Sequence, residues 1–173
     1  MNRIQLTANF YLDEFVDPST YFNEPDNGLS KIDIKVVNCV QLLREKLDKS
    51  VAVNNWWNYY KENVDKLTIE QIVKNIEKST LSKWSGYRSP SCKIGAPASA
   101  HKLGKGADPK GNEKAMYDIV IANAKEFYDL GLRRIEDIKI TKGWLHMDTN
   151  ERNCIPNHIN VVGLKTIVKR ISI

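Results

Sequence analysis

Cysteine is scarce in this chain. Cys39, Cys92 and Cys154 are the only three in 173 residues, and no two share C-x-x-C spacing. An odd number so placed argues against a disulfide framework and against a thiolate zinc cluster, and favours reduced thiols in a protein made in the cytoplasm. Long apolar runs are missing too. Nothing approaches the roughly 18 consecutive apolar residues of a membrane span, so no membrane insertion is expected. The opening MNRIQLTANFYLDEF has neither an apolar stretch nor a small-residue cleavage site, so export by a signal peptide is not expected. Internal repeats, low-complexity tracts and an Arg-rich arm are also absent. The net charge of +5 favours polyanions such as nucleic acid or an anionic cell wall. The basic residues are scattered, however, without an aromatic-basic RNA motif, so no nucleic-acid partner is expected. With 42% hydrophobic and 27% charged residues, the composition is that of one folded domain, expected as a monomer.

What is present is periodic. Ile32, Val36, Cys39, Val40, Leu43 and Leu47 recur at three- and four-residue spacing, which predicts a helix over 31–48 with Ser30 as N-cap. Residues 1–30 read as an irregular leader with one helical turn at 12–15, followed by a loop rich in Pro, Asn, Asp and Gly. Val51–Val53 predicts a short strand. A helix is expected over 68–78, capped by Thr68 and burying Ile69, Ile72, Val73 and Ile76. The aromatic cluster Trp56, Trp57, Tyr59 and Tyr60 fits a core closed over a loop better than a platform for sugar rings. A further helix is predicted over 111–131, stopped by Gly131, and a strand over 132–140. Strand and helix both stay open for 164–173. The expected class is α+β, helices packed on a small antiparallel sheet.

The chemistry concentrates in two stretches, SGYRSPSCKIGAPASAHKLGKGAD at 85–108 and GWLHMD at 143–148. They hold two of the three histidines, His101 and His146, each with an aspartate nearby. His101 precedes Asp108 by seven residues, with Gly104 and Gly106 between them, a gap that suits a chain doubling back. In a strand, His146 and Asp148 would face the same way. Two imidazoles and a carboxylate are a ligand set of catalytic zinc sites, in which the fourth position takes water. The spacing matches none of the common zinc motifs such as H-E-x-x-H, so ordinary surface histidines are an equal reading of these residues alone. His158 reads as a loop residue.

SGYRSP at 85–90, S-x-H-x-x-G-x-x-x-D at 99–108 and W-x-H-x-D at 144–148, in that order, resemble the zinc D-alanyl-D-alanine carboxypeptidase and phage endolysin family. That family includes the vancomycin-resistance D,D-dipeptidases and shares a fold with the hedgehog signalling domain. The opening LTANFYLDEF is similar to the start common in its phage and bacterial members. The likeness therefore runs from about Leu6 to about Asp148.

The resemblance implies one zinc held by His101, Asp108 and His146 in a groove of a single zinc peptidase domain, 1–173. Residues of about 54–80 then form an aromatic and helical insertion, because the strand usually leads almost directly to SGYRSP. Arg88 corresponds to the arginine facing the bound peptide, where a guanidinium holds carboxylates and steadies an oxyanion. Tyr87, through the shape of the turn, and Ser99 complete the expected substrate contacts. Many relatives carry the general base three residues before the second histidine, but that position here is Gly143, which cannot act. Asp148 is the first substitute and Glu136 the second, although Asp148 could equally support an imidazole N–H. The implied substrates are peptidoglycan stem peptides, cut at D-Ala-D-Ala or at L-Ala-D-Glu. The implied protein is a phage or prophage lysin made in the cytoplasm and acting on the wall after release. The alternative is a zinc-bearing wall-binding module of the same fold without turnover.

Overall fold

In the computed structural model, which describes residues 3–164 and 166–173, the described residues form six α-helices and five strands. The helices are α1 (Pro18–Asn23), α2 (Ile34–Leu47), α3 (Trp57–Asn63), α4 (Ile69–Lys78), α5 (Glu113–Ala122) and α6 (Ala124–Asp129). The strands are β1 (Gly106–Ala107), β2 (Arg134–Glu136), β3 (Met147–Asp148), β4 (His158–Val162) and β5 (Ile167–Ser172). The class is α+β, as expected. No helix among the described residues is long and apolar enough to cross a membrane.

The strands lie in the order β1-β3-β2-β4-β5. Every pair is antiparallel except β2–β4, which is parallel, so the sheet is mixed rather than antiparallel. The chain turns back from β2 into β3, then reverses again through residues 149–157 and lays β4 on the other flank of β2. A strand that reverses against β3 must run with β2.

Register sorts the side chains into two faces. Ala107, Met147, Ile135 and Val161 stand in one row across four strands and are buried. They meet α2, α5 and α6 in the main core, with Leu43, Met116 and Phe127. The flanking rows point the other way. One is Gly106, Asp148, Arg134 and Asn160. The other starts from the pair Glu136 and Val162, and Asp108 and His146 directly adjoin β1 and β3 one residue beyond their registered pairs.

A smaller core joins the leader to α3 and α4. Leu12, Val16, Tyr21, Trp56, Trp57, Ile72 and Ile76 meet there, with Tyr87. Trp56 is fully buried, and its ring Nε1–H donates to the Val16 carbonyl at 2.9 Å. These indoles stack edge to face on Tyr21 and on each other, so they close a core and are not a surface for sugars.

Several boundaries differ from expectation for local reasons. α2 starts at Ile34, because Asp33 rather than Ser30 caps it, accepting from Lys35 N at 3.0 Å. The loop expected after residue 16 contains α1: Asp17 accepts from Thr20 N and Oγ1, and Pro18 takes the first helical position. The helix predicted over 111–131 breaks into α5 and α6 at Asn123, whose φ of −119° and ψ of 29° leave the helical region. The strand predicted over 132–140 ends at Glu136, where Asp137 turns the chain by accepting from Lys139 N. Val51–Val53 is reduced to one bridge, Ala52 to Lys110. The C-terminal stretch is strand β5.

Candidate metal centre

His101 sits in a single 3-10 turn, Ala100–Leu103, that ends at Gly104 in the left-handed region (φ 68°). A side chain at Gly104 would strike the Lys31 carbonyl, so only glycine lets the turn press on the entry to α2. The Gly104 carbonyl accepts from Asp33 N at 2.9 Å, and the Asp33 carboxylate takes the Thr149 hydroxyl at 2.7 Å. The helix cap thus ties the His101 turn to the end of β3. The SGYR segment runs beside both: Arg88 N donates to His101 O at 3.2 Å and Asp108 N to Ser85 O at 2.7 Å.

Three ligand-type atoms converge. His146 Nδ1 lies 2.8 Å from Asp108 Oδ1 and 3.1 Å from His101 Nε2, and His101 Nε2 lies 3.2 Å from Asp108 Oδ1. The outward nitrogens determine the tautomers. His101 Nδ1 faces the Gly86 carbonyl at 2.7 Å, an acceptor only, so it carries the proton and leaves Nε2 as a lone pair. His146 Nε2 faces Asp148 Oδ2 at 3.0 Å, so it donates there and leaves Nδ1 as a lone pair. Two lone pairs and a carboxylate oxygen within 3.2 Å of one another repel unless a proton or a metal ion joins them.

Without a metal, a proton fills that need. Burial opposes a charged His146, but the hydrogen bonds it donates to Asp108 and Asp148 outweigh that and raise its pKa to about 10. Burial would push Asp108 up; the two imidazoles instead hold it far below the usual carboxylate range. The same cluster suits a divalent ion. A tetrahedral ion with bonds of about 2.0–2.1 Å spaces its ligand atoms about 3.3 Å apart, close to what the three side chains already adopt. His101, Asp108 and His146 could therefore hold a metal ion with little rearrangement.

The centre opens on a cleft of about 630 Å³. One wall is the loop from Gly95 to His101, and the other is formed by Val162, Gly163, Leu164, Thr166 and Ile167. Arg88 lines it, donating from Nε to Trp84 O at 2.5 Å and from Nη2 to Asp108 Oδ2 at 3.0 Å. Ser99 lines it as well. Glu136 lines it beside His146, and its backbone N donates to His146 O at 3.2 Å.

Asp148 and Tyr87 stand elsewhere. Asp148 is 1% exposed and lies beneath the cleft. Its two oxygens accept three bonds from Arg134, at 2.8–3.0 Å, besides the His146 N–H. Tyr87 does not line the cleft: its ring belongs to the smaller core, because its backbone N is drawn to Phe15 O at 2.6 Å. His158 is held by Pro156 O and Ser172 Oγ, away from the centre. The sequence reading missed Arg134, the cation that holds Asp148 in place. Its signal was the period-two spacing of Arg134 and Glu136, visible only once β2 is known to pair with β3. No protein-family model, no curated protein and no solved structure matches the chain.

Proposed function

We propose that this protein is a zinc-dependent peptidase that hydrolyses stem-peptide amides of bacterial peptidoglycan, a lysin of the D-Ala-D-Ala or L-Ala-D-Glu type with a hedgehog-like arrangement. Its support is the convergence of His101, Asp108 and His146, the last two directly adjoining β1 and β3, at a cleft that Glu136 of β2 and Arg88 also line. The ordered resemblance of the three motifs supplies the substrate class. Zinc held by His101 Nε2, Asp108 and His146 Nδ1 would act as a Lewis acid and lower the pKa of bound water.

The chain's own groups do the rest. Glu136 is the general base, rather than Asp148: it lines the cleft next to His146 and has no ion-pair partner among the described residues. It accepts a proton from the attacking water and delivers it to the leaving amine. Asp148 is fully engaged by Arg134 and His146, so its role is to hold the imidazole in the right tautomer. Arg88 has two of its nitrogens fixed by Asp108 and Trp84, leaving Nη1 beside Gly95 and Ser99 to meet the oxyanion or carboxylate of the substrate.

The purified protein should bind one zinc and lyse bacterial sacculi. His101→Ala should lose both; unchanged lysis in that variant would refute the assignment. Glu136→Gln should keep the metal and lose about 10²–10⁴-fold in rate. A second reading, a wall-binding module without turnover, is favoured by Gly143, where many relatives carry the acid. Mass analysis of muropeptides decides between them: zinc bound with no new amine ends leaves binding alone.

A further inference from the structure

Three guanidinium groups line the cleft, from Arg88, Arg134 and Arg152. Arg88 is paired with Asp108 and Arg134 with Asp148. Arg152 has no carboxylate within ion-pair distance among the described residues, although Glu136 shares its cleft and Glu151 is its neighbour in sequence. The two pairs cancel, leaving Glu136 and Arg152 as the charged side chains of the cleft without an ion pair among the described residues. A divalent ion held by His101, Asp108 and His146 would tip the cleft positive and favour an anion.

The loop that carries Arg152 is tied to the metal centre. Asp148 Oδ1 accepts from Asn150 N at 3.0 Å, and Asn150 Oδ1 accepts from Arg152 N at 3.1 Å. Cys154 N closes the turn on Glu151 O at 3.1 Å, and Asn160 Nδ2 clamps Asn153 O at 3.1 Å from within the sheet. The carboxylate that orients His146 therefore also roots Arg152. These bonds fix the backbone of Arg152, and its exposed side chain lines the cleft from there.

We infer that Arg152 is a substrate-binding residue: its free guanidinium takes a carboxylate carried by the peptide beside the amide presented to the metal. Arginine's planar fork matches a carboxylate bidentately, whereas an uncharged amide offers one acceptor and repels with its own donors. The preferred substrate is thus an acidic peptide rather than its amidated form. This inference rests on the peptidase reading for its chemistry, but not for its measurement.

The test uses the metal-free full chain and two probes, acetyl-Ala-D-Glu γ-methylamide with its free α-carboxylate, and the same compound with that carboxylate amidated. Binding is followed by NMR titration. The wild type should prefer the carboxylate probe, and Arg152→Gln should weaken that probe about tenfold while leaving the amide unchanged. Arg152→Lys should restore part of the loss. Equal effects on both probes, or none on either, overturn the inference. Sacculus hydrolysis is measured alongside on the zinc-loaded wild type. Carboxylate preference without hydrolysis would sink the peptidase and spare Arg152, and hydrolysis without carboxylate preference does the reverse.

Discussion

Replacing Asp148 with asparagine keeps the shape of a buried side chain and removes one charge. The wild-type carboxylate accepts the His146 N–H at 3.0 Å and takes three bonds from Arg134. Asparagine can still offer one oxygen to the imidazole, but its amide N–H₂ then faces the guanidinium, donor against donor. Losing such an outer carboxylate lowers metal affinity by about 10–100-fold, or about 1.4–2.7 kcal/mol. An opposing effect must be subtracted. Asp148 also strengthens the proton's hold on His146, whose pKa near 10 means that a metal arriving at neutral pH displaces a proton. Wild-type affinity should accordingly rise about tenfold per pH unit through neutrality and level off near pH 10. In the variant that pKa falls, so the plateau comes earlier and the deficit at pH 7 is smaller than at pH 10. In the metal-free protein the same elevation stabilises the fold fully below about 6.5, a contribution lost as pH rises through about 10. Chelator-buffered zinc titrations across pH give the affinities, and calorimetry in two buffers of different ionisation enthalpy counts the proton. A variant that binds zinc like the wild type at high pH, or a wild type that releases no proton, would refute the reasoning.

Glu14 gives a separate pH signature. Burial pushes its pKa from 4.5 to about 7, so its contribution is present below 4.5 and lost as pH rises through 7. The stability advantage of Glu14→Gln over the wild type, from urea unfolding, should grow by about 3 kcal/mol between about pH 4 and 8; a constant difference contradicts this. Trp56→Ala, at a fully buried site, should cost about 3–5 kcal/mol in the same assay, and less than about 1 would mean the smaller core is not packed as described. Thr68→Ala breaks the capping box that Thr68 and Gln71 form at the start of α4 and should cost about 1 kcal/mol. Cys39, whose thiol burial pushes up to about 12, should resist iodoacetamide until the protein unfolds.

The sequence exposes whatever is periodic or locally capped. The stripe of α2 and the Thr68 cap of α4 are legible because three- and four-residue spacing and a capping pair are encoded within a dozen residues. The convergence of His101, Asp108 and His146 was readable from motif order, since glycines fix the turns around them. Which of Asp148 and Glu136 lines the cleft was not. It turns on which strand lies beside β3, and β2 is only three residues long, too short to announce its partner. The burial of Tyr87 was not legible either. The residue stands next to Arg88 in sequence, yet the leader pulls its ring into a different core. The aromatic cluster, by contrast, was correctly read as interior, because indoles that close together seldom stay exposed.

Gly86 and Tyr87 straddle the boundary between the two cores. The Gly86 carbonyl sets the His101 tautomer, while the neighbouring tyrosine is embedded among the leader's residues. Gly86 has no room for a side chain because the Phe15 backbone presses on it. Loosening the N-terminal cluster would therefore free an imidazole of its proton acceptor before any strand of the sheet separates. Heat or denaturant should erode the arrangement of His101, Asp108 and His146 first through a region that supplies none of the three, and its loss should run ahead of global melting.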